Sequence, residues 1–252
     1  MKTIIAFLGL LLMISACGSS QGKDPVTIDE PITPSLDDYE LLFIGNSHSS
    51  FNGLPGLVAT LIEIADPGIK VNTVNAPGWK FLAERVGDGN TLELLQSRKW
   101  SHVFLQAQKY SSSGLYSYPT TAAEEWIRQV KQQQATPILF PEWPRRGNYE
   151  EGLRIHELHL YIASQEPACV APVGLVWDEM IATYPNVDLH ASDGNHSNLN
   201  GALLTAFVFY QILTNQSSAD LPFVSQINVS EVLQKQMREV ASSVIEANLK
   251  CQ

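Results

Sequence analysis

Two short segments, far apart in the chain, carry residue types that together could transfer an acyl group. The first, Leu41-Leu42-Phe43-Ile44-Gly45-Asn46-Ser47-His48-Ser49, is an apolar run ending in a Gly-Asn-Ser turn. The second is Asp193-Gly194-Asn195-His196, near the C-terminal end. A serine hydroxyl is a poor nucleophile until a base removes its proton, and an imidazole needs an acceptor on its other nitrogen to hold the useful tautomer. The pair of segments offers all three parts: Ser47 as nucleophile, His196 as base and Asp193 as orienting acid. Neither segment decides this alone, since a turn serine capping the next helix is ordinary. Ser49 and Ser50 compete with Ser47 only if the strand ends later. His48 is expected as a wall of the site, and the nearby pair Asp188 and His190, in a less suitable order, as part of a solvated loop.

For these groups to meet, the elements between them must return the chain repeatedly to one edge. Apolar runs bounded by turn residues alternate with helical patterns, the signature of a mostly parallel sheet covered on both faces. Strands are expected at 41–44, 69–74, 102–105, 137–140 and 169–173. Helices are expected at 54–65, 81–98 with an interruption at 87–90, 121–134, 149–164, 177–184, 201–213 and 230–249. Five strands with intervening helices predict an α/β fold, a three-layer α/β/α sandwich whose five-stranded parallel sheet has flavodoxin-like order. Sites in such sheets lie beyond the carboxyl ends of strands, where Ser47, Gly78 and Gln108 all fall.

At these positions the chain resembles the SGNH (GDSL-type) hydrolase superfamily. The family's Gly-Asp-Ser block stands here as Gly45-Asn46-Ser47, its second-block glycine as Gly78, and its Asp-x-x-His block as Asp193 to His196. Its Gly-x-Asn block is replaced by Gln106-Ala107-Gln108. The resemblance covers residues 39–213 and implies that an oxyanion would be held by the backbone N–H groups of Ser47 and Gly78 and by a side-chain amide. Gln108 is in register for that amide, with Gln106 as the alternative. Asn46 in place of the family's Asp keeps hydrogen-bonding capacity and loses a charge. Glu142 and Trp143 follow the fourth strand at the site edge; Trp143 could stack on a sugar face or equally cover core. Tyr110 and residues 111–114 are expected to form a mobile rim.

The N-terminus bears on where such chemistry would occur. A basic start is followed by an apolar stretch from Ile4 to Ile14, too short for a spanning helix and of signal-peptide proportions. It leads into Ile14-Ser15-Ala16-Cys17, which resembles the lipobox of bacterial lipoproteins. That resemblance implies cleavage after residue 16 and lipidation of Cys17, with residues 17–38 as a flexible polar tether and 39–252 as the hydrolase-like domain. Gly18 and Ser19 after the cysteine match sorting to an outer membrane, where several acyl chains make stable anchoring. The expected location is therefore the cell envelope.

Composition narrows the remainder. Formal net charge is −10, and the largest basic cluster is Arg145-Arg146, which argues against nucleic acid as a partner because phosphate neutralisation needs a basic face. No CxxC or HExxH pattern occurs, so no metal or other cofactor is implied. With Cys17 lipidated, Cys169 and Cys251 remain, either bridging a late strand to the C-terminal helix or standing as two free thiols. Oligomeric state is not legible. The expectation is a serine esterase acting on a small acyl ester, acetyl being the expected size, of a carbohydrate or lipid. A second reading, motivated by the altered third block, is a surface lipoprotein that binds a glycan or protein partner on the same fold without turnover.

Overall fold

The computed structural model describes residues 38–248 and Cys251. The expected signal peptide, Cys17 and most of the expected tether lie outside them. Five strands form the central sheet: β1 (Tyr39–Ile44), β2 (Val71–Asn75), β3 (His102–Leu105), β4 (Thr136–Leu139) and β5 (Cys169–Val170). All neighbours pair in parallel in the order β2-β1-β3-β4-β5, the expected flavodoxin-like arrangement. The helices are α1 (Leu54–Ala65), α2 (Leu82–Arg85), α3 (Asn90–Gln96), α4 (Thr121–Gln132), α5 (Glu151–Gln165), α6 (Val173–Thr183), α7 (Leu199–Thr214) and α8 (Glu231–Asn248).

Side chains alternate across a strand, so one apolar run supplies two cores. Leu41 and Phe43 join Phe104, Ile138 and Phe140 beneath α1, α6, α7 and α8. Leu42 and Ile44 join Val103, Leu105, Leu139 and Val170 on the other face, against Leu82, Leu95, Trp126, Ile127, Val130 and Ile162. Phe43 and Phe104 stack at 4.4 Å, capped by Phe209 from α7. Burying each such side chain stabilises by about 1.5–3 kcal/mol. Helix α7 is apolar nearly all round because it packs among α1, α6 and α8.

Element boundaries depart from expectation where a local rule intervened. The fifth strand is cut short at Val170: Pro172 has no N–H to give a ladder, and α6 starts at Val173, earlier than its expected start. The second strand starts two residues late because Ile69 N–H closes a turn onto Asp66 O. The expected interruption at 87–90 separates α2 from α3, with Gly89 at φ 65°. Cys169 and Cys251 form a disulfide, resolving the open alternative for these cysteines. No described helix is long and apolar enough to cross a membrane.

β1 lies between β2 and β3, so the chain passes from β1 to β2 on one side and then crosses back to β3 on the other. The loops after β1, β2 and β3 therefore part around a crevice at the carboxyl edge.

Candidate active site

Gly45 follows β1, and a Cβ there would collide with the Gln106 side chain and crowd Ser49 Oγ. That close approach turns the chain into a 3₁₀ turn, Ser47–Ser49, capped by Asn46, whose Oδ1 accepts from His48 N at 3.0 Å. Ser47 thus stands half-buried at the crevice. Its Oγ lies 2.7 Å from Nε2 of His196. On the far side of the ring, His196 Nδ1 lies 2.5 Å from Asp193 Oδ2. A carboxylate can only accept, so Nδ1 carries the proton and Nε2 is left to accept the Ser47 O–H.

Asp193 Oδ1 accepts the backbone N–H groups of Asn195 and His196, each at 2.9 Å. The hydrogen bond from His196, together with these two, holds the Asp193 carboxyl well below the usual carboxylate range. The imidazole is flanked by rings: Phe51 stacks on it at 4.3 Å and His48 at 5.0 Å. Contacts from elsewhere pin the loop that carries it. Trp143 Nε1 donates to Asn195 O at 2.9 Å, Arg146 N to Gly194 O at 2.9 Å, and Asn52 Nδ2 to Ser197 O at 2.6 Å. The three sequence-selected side chains therefore converge into one hydrogen-bonded relay, able to move a proton off a serine hydroxyl.

Two other expectations are corrected. Trp143 is not a sugar platform: it is 2% exposed, stacked on Trp177 at 4.7 Å, and serves to hold the histidine loop. Gln108 is buried and its amide is spent locally, Nε2 donating to the carbonyls of Lys109 and Pro119. Gln106 does not replace it. That side chain is fully buried, accepting Asn46 N–H at 2.8 Å and donating to Glu142 at 2.6 Å. Between them, Ala107 takes φ 72°, the left-handed region unusual for a residue with a Cβ, which kinks the third block into these contacts. Gln108 Nε2 thus has both of its N–H donors engaged, while Gln106 Nε2 has one engaged by Glu142 on a fully buried side chain.

Backbone donors remain. Among the described residues, neither Ser47 N–H nor Gly78 N–H donates to a protein acceptor. Gly78 sits at φ 74°, a conformation that favours glycine, just past β2. Its turn is gripped by Arg85, which sequence reading missed. Nothing local marks Arg85 as more than a helix-end cation, yet it is fully buried. His48 forms part of the wall as expected, its Nδ1 3.1 Å from Asn46 Oδ1. The Asp188 and His190 pair divides: Asp188 binds Arg146, while His190 is buried and its Nε2 meets Pro144 O at 2.8 Å. Only Asp188 keeps the expected exposed setting.

Beside the relay opens a pocket of about 430 Å³ whose lining includes Asn46, His48, Phe81, Tyr118, Glu142 and Asn195. Tyr110 and Lys109 also reach it. Burial, then the charges of Glu142 and Glu151, pushes the Tyr110 phenol well above its ordinary pKa, so it stays a neutral donor. Lys109 lies over the Phe81 ring at 4.8 Å. Among the described residues no group of three His, Cys, Asp or Glu side chains is placed to hold a metal ion.

No family model matches the chain, and no curated protein matches it in sequence. Solved structures resemble it in fold. A DUF4886 family protein from Bacteroides uniformis aligns at 16% identity over 83% of this chain and 95% of its own, with a TM-score of 0.68. A protein assigned to the SGNH hydrolases from Slackia heliotrinireducens aligns at 21% identity over 70% of this chain and 99% of its own, TM-score 0.55. A catalytic mutant of an acetylxylan esterase from Geobacillus stearothermophilus aligns at 17% identity over 70% of this chain and 94% of its own, TM-score 0.51. At such identities the likeness establishes the fold, which is of the SGNH hydrolase type, and leaves the chemistry to the site.

Proposed function

We propose that this chain is a serine esterase that hydrolyses a small acyl ester through a covalent acyl-enzyme. The observation that carries the reading is the unbroken relay from Ser47 Oγ through His196 to Asp193. Ser47 Oγ attacks the ester carbonyl while His196 Nε2 takes the hydroxyl proton. The tetrahedral oxyanion is met by the Ser47 and Gly78 N–H groups. As it collapses, His196 gives the proton to the departing alkoxide. Water then attacks the acyl group, again deprotonated by His196, and Ser47 is released. Asp193 stays ionised throughout and steadies the imidazolium.

The pocket supports a polar alcohol such as a sugar over a long-chain lipid. Its lining mixes ring faces (Phe81, Tyr118) with Asn46, Glu142 and Lys109, whereas a long acyl chain calls for an extended apolar groove. We take the acyl side as small, of acetyl size. We also assign the chain to the cell envelope, held by lipid on Cys17. The Cys169–Cys251 disulfide supports an oxidising compartment.

The Gln106 amide buried against Glu142 and the Gln108 amide spent on two carbonyls favour one second reading, a non-catalytic glycan-binding lipoprotein. A fluorophosphonate probe separates the two. The esterase labels on Ser47 and hydrolyses p-nitrophenyl acetate faster than the octanoate, and both activities vanish in Ser47→Ala and His196→Ala. An intact, folded chain that neither labels nor hydrolyses refutes the esterase. Metabolic labelling with a fatty-acid analogue, lost in Cys17→Ser, tests the anchor.

A further inference from the structure

Arg85 is an arginine in an unusual place. At the end of α2 its side chain is fully buried, and among the described residues it makes no direct ion pair with a carboxylate. Taking a cation out of water costs several kcal/mol unless its donors are met. Here the two terminal nitrogens are met, three times by site backbone and once by Thr91, while Nε has no partner among the described residues. One terminal nitrogen, Nη2, donates to Gly45 O and to Gly78 O, both at 2.6 Å. The other, Nη1, donates to Pro77 O at 3.2 Å and to Thr91 Oγ1 at 3.0 Å. One rigid, planar group therefore ties the turn after β1 to the turn after β2, two segments that share no sequence neighbourhood.

The consequence lies on the opposite side of each peptide. In a trans peptide the C=O and N–H point in opposite directions, so a cation holding the carbonyl aims the N–H away from itself. Gly45 O is held by Arg85, and the Asn46 N–H of the same peptide goes to Gln106 Oε1 at 2.8 Å. Pro77 O is held likewise, and the Gly78 N–H of that peptide has no protein acceptor among the described residues. A positive group on the carbonyl also polarises the peptide and strengthens its N–H as a donor.

Resting on the esterase reading, we propose that Arg85 is the positioning residue of the anion site: it aims and strengthens the Gly78 N–H and fixes its distance from Ser47, in place of the side-chain amide that Gln106 and Gln108 do not supply. Arg85 touches no substrate. Its effect falls on the oxyanion, which forms only at the transition state, so loss of the clamp lowers kcat and spares KM.

The test uses the full chain with Arg85→Lys, which keeps the charge but loses the planar fork, and Thr91→Val, which removes one guanidinium partner without emptying the site. In Arg85→Lys, kcat on p-nitrophenyl acetate falls about 10–100-fold with KM within about twofold, as a small misplacement of a donor would produce. Ser47 phosphonylation slows in step. Thr91→Val moves kcat the same way by a smaller factor and carries the test if Arg85→Lys does not fold. A folded Arg85→Lys, or failing that Thr91→Val, with unchanged kcat overturns the proposal, as does a loss confined to KM. Amide ¹⁵N shifts of Asn46, Gly78 and Trp79 read the clamp without any activity. If the intact chain has no Ser47-dependent turnover, the esterase reading fails by itself. Those amides shifting on substitution then still support the clamp, and their standing still overturns it.

Discussion

Asp193→Asn is the sharpest perturbation of the relay, because it changes one atom and leaves the shape. The amide oxygen can keep both backbone N–H bonds now made to Asp193 Oδ1 at 2.9 Å. The other position, 2.5 Å from His196 Nδ1, becomes an NH₂ group that donates where the carboxylate accepted. His196 must then present a bare Nδ1 to it, which puts the ring proton on Nε2. That nitrogen lies 2.7 Å from Ser47 Oγ and can no longer take the hydroxyl proton. A wrong tautomer in such a relay lowers kcat by about 10⁴. The Asp193 side chain is 48% exposed, so water can compete with the amide and part of the ring population recovers; the expected loss is about 10³–10⁴-fold. Melting temperature should barely change, since the loop's backbone bonds persist. The sign of the pH dependence follows from the depressed carboxyl. Its contribution is present above the ordinary Asp range and is lost only as pH falls through its own low pKa. Asp193 therefore adds no limb between pH values of about 5 and 8, and the acid side of the kcat/KM profile has slope one. Stopped-time hydrolysis of p-nitrophenyl acetate across that range checks both statements. A folded Asp193→Asn chain that keeps kcat within about tenfold of the intact protein refutes the relay as the engine of the reaction.

Three further outcomes are expected. Trp143→Phe removes the donor to Asn195 O at 2.9 Å, so kcat falls about fivefold, the worth of one neutral hydrogen bond, with KM for a sugar ester unchanged; a KM effect alone would restore the discarded sugar-platform role. Asp178 is pushed up to about 7 by burial and then by Glu151, so the folded chain holds that proton more tightly than the unfolded one. Stability from this group is complete below the ordinary Asp pKa and declines as pH rises through about 7; Asp178→Asn should therefore stabilise at alkaline pH by on the order of 1–2 kcal/mol after allowance for solvent screening, and by nothing in acid. Paired thermal melts at the two ends decide it, and an equal gain at both would mean that charge is not the cause. Reducing Cys169–Cys251, separated by 82 residues, should lower stability by roughly 4 kcal/mol, read as a fall in melting temperature with dithiothreitol that Cys251→Ser reproduces.

Much of the fold was legible because its signals are local. Leu41 to Ile44 alternate between two buried faces, and an uninterrupted apolar run of that length between turn residues has few other uses. Helix α1 begins and ends where Gly53, Pro55 and the turn at Asp66 say it should. Boundaries failed where two signals overlapped, as at Pro172, where a strand pattern ran into a residue that cannot donate. In the site, Ser47, His196 and Asp193 were legible because their chemistry demands those residue types, and the Asp-x-x-His spacing lets one carboxylate reach both the ring and the loop backbone.

Trp143, Gln106, Gln108 and Arg85 were not legible, and for one shared reason. A side chain's type states what bonds it can make; only its neighbours decide which bonds it has already made. Gln108 looks like a free amide until Pro119 folds over it, and Trp143 like a rim ring until Trp177 covers its face. Arg85 looks like a surface cation until two turns from different strands bring their carbonyls to it. The sequence by itself determined the layered architecture and the residue types that meet in the Ser47–His196–Asp193 relay. Tertiary structure alone decided which of those groups are still free to act, because hydrogen-bond satisfaction is settled between residues that are distant along the chain.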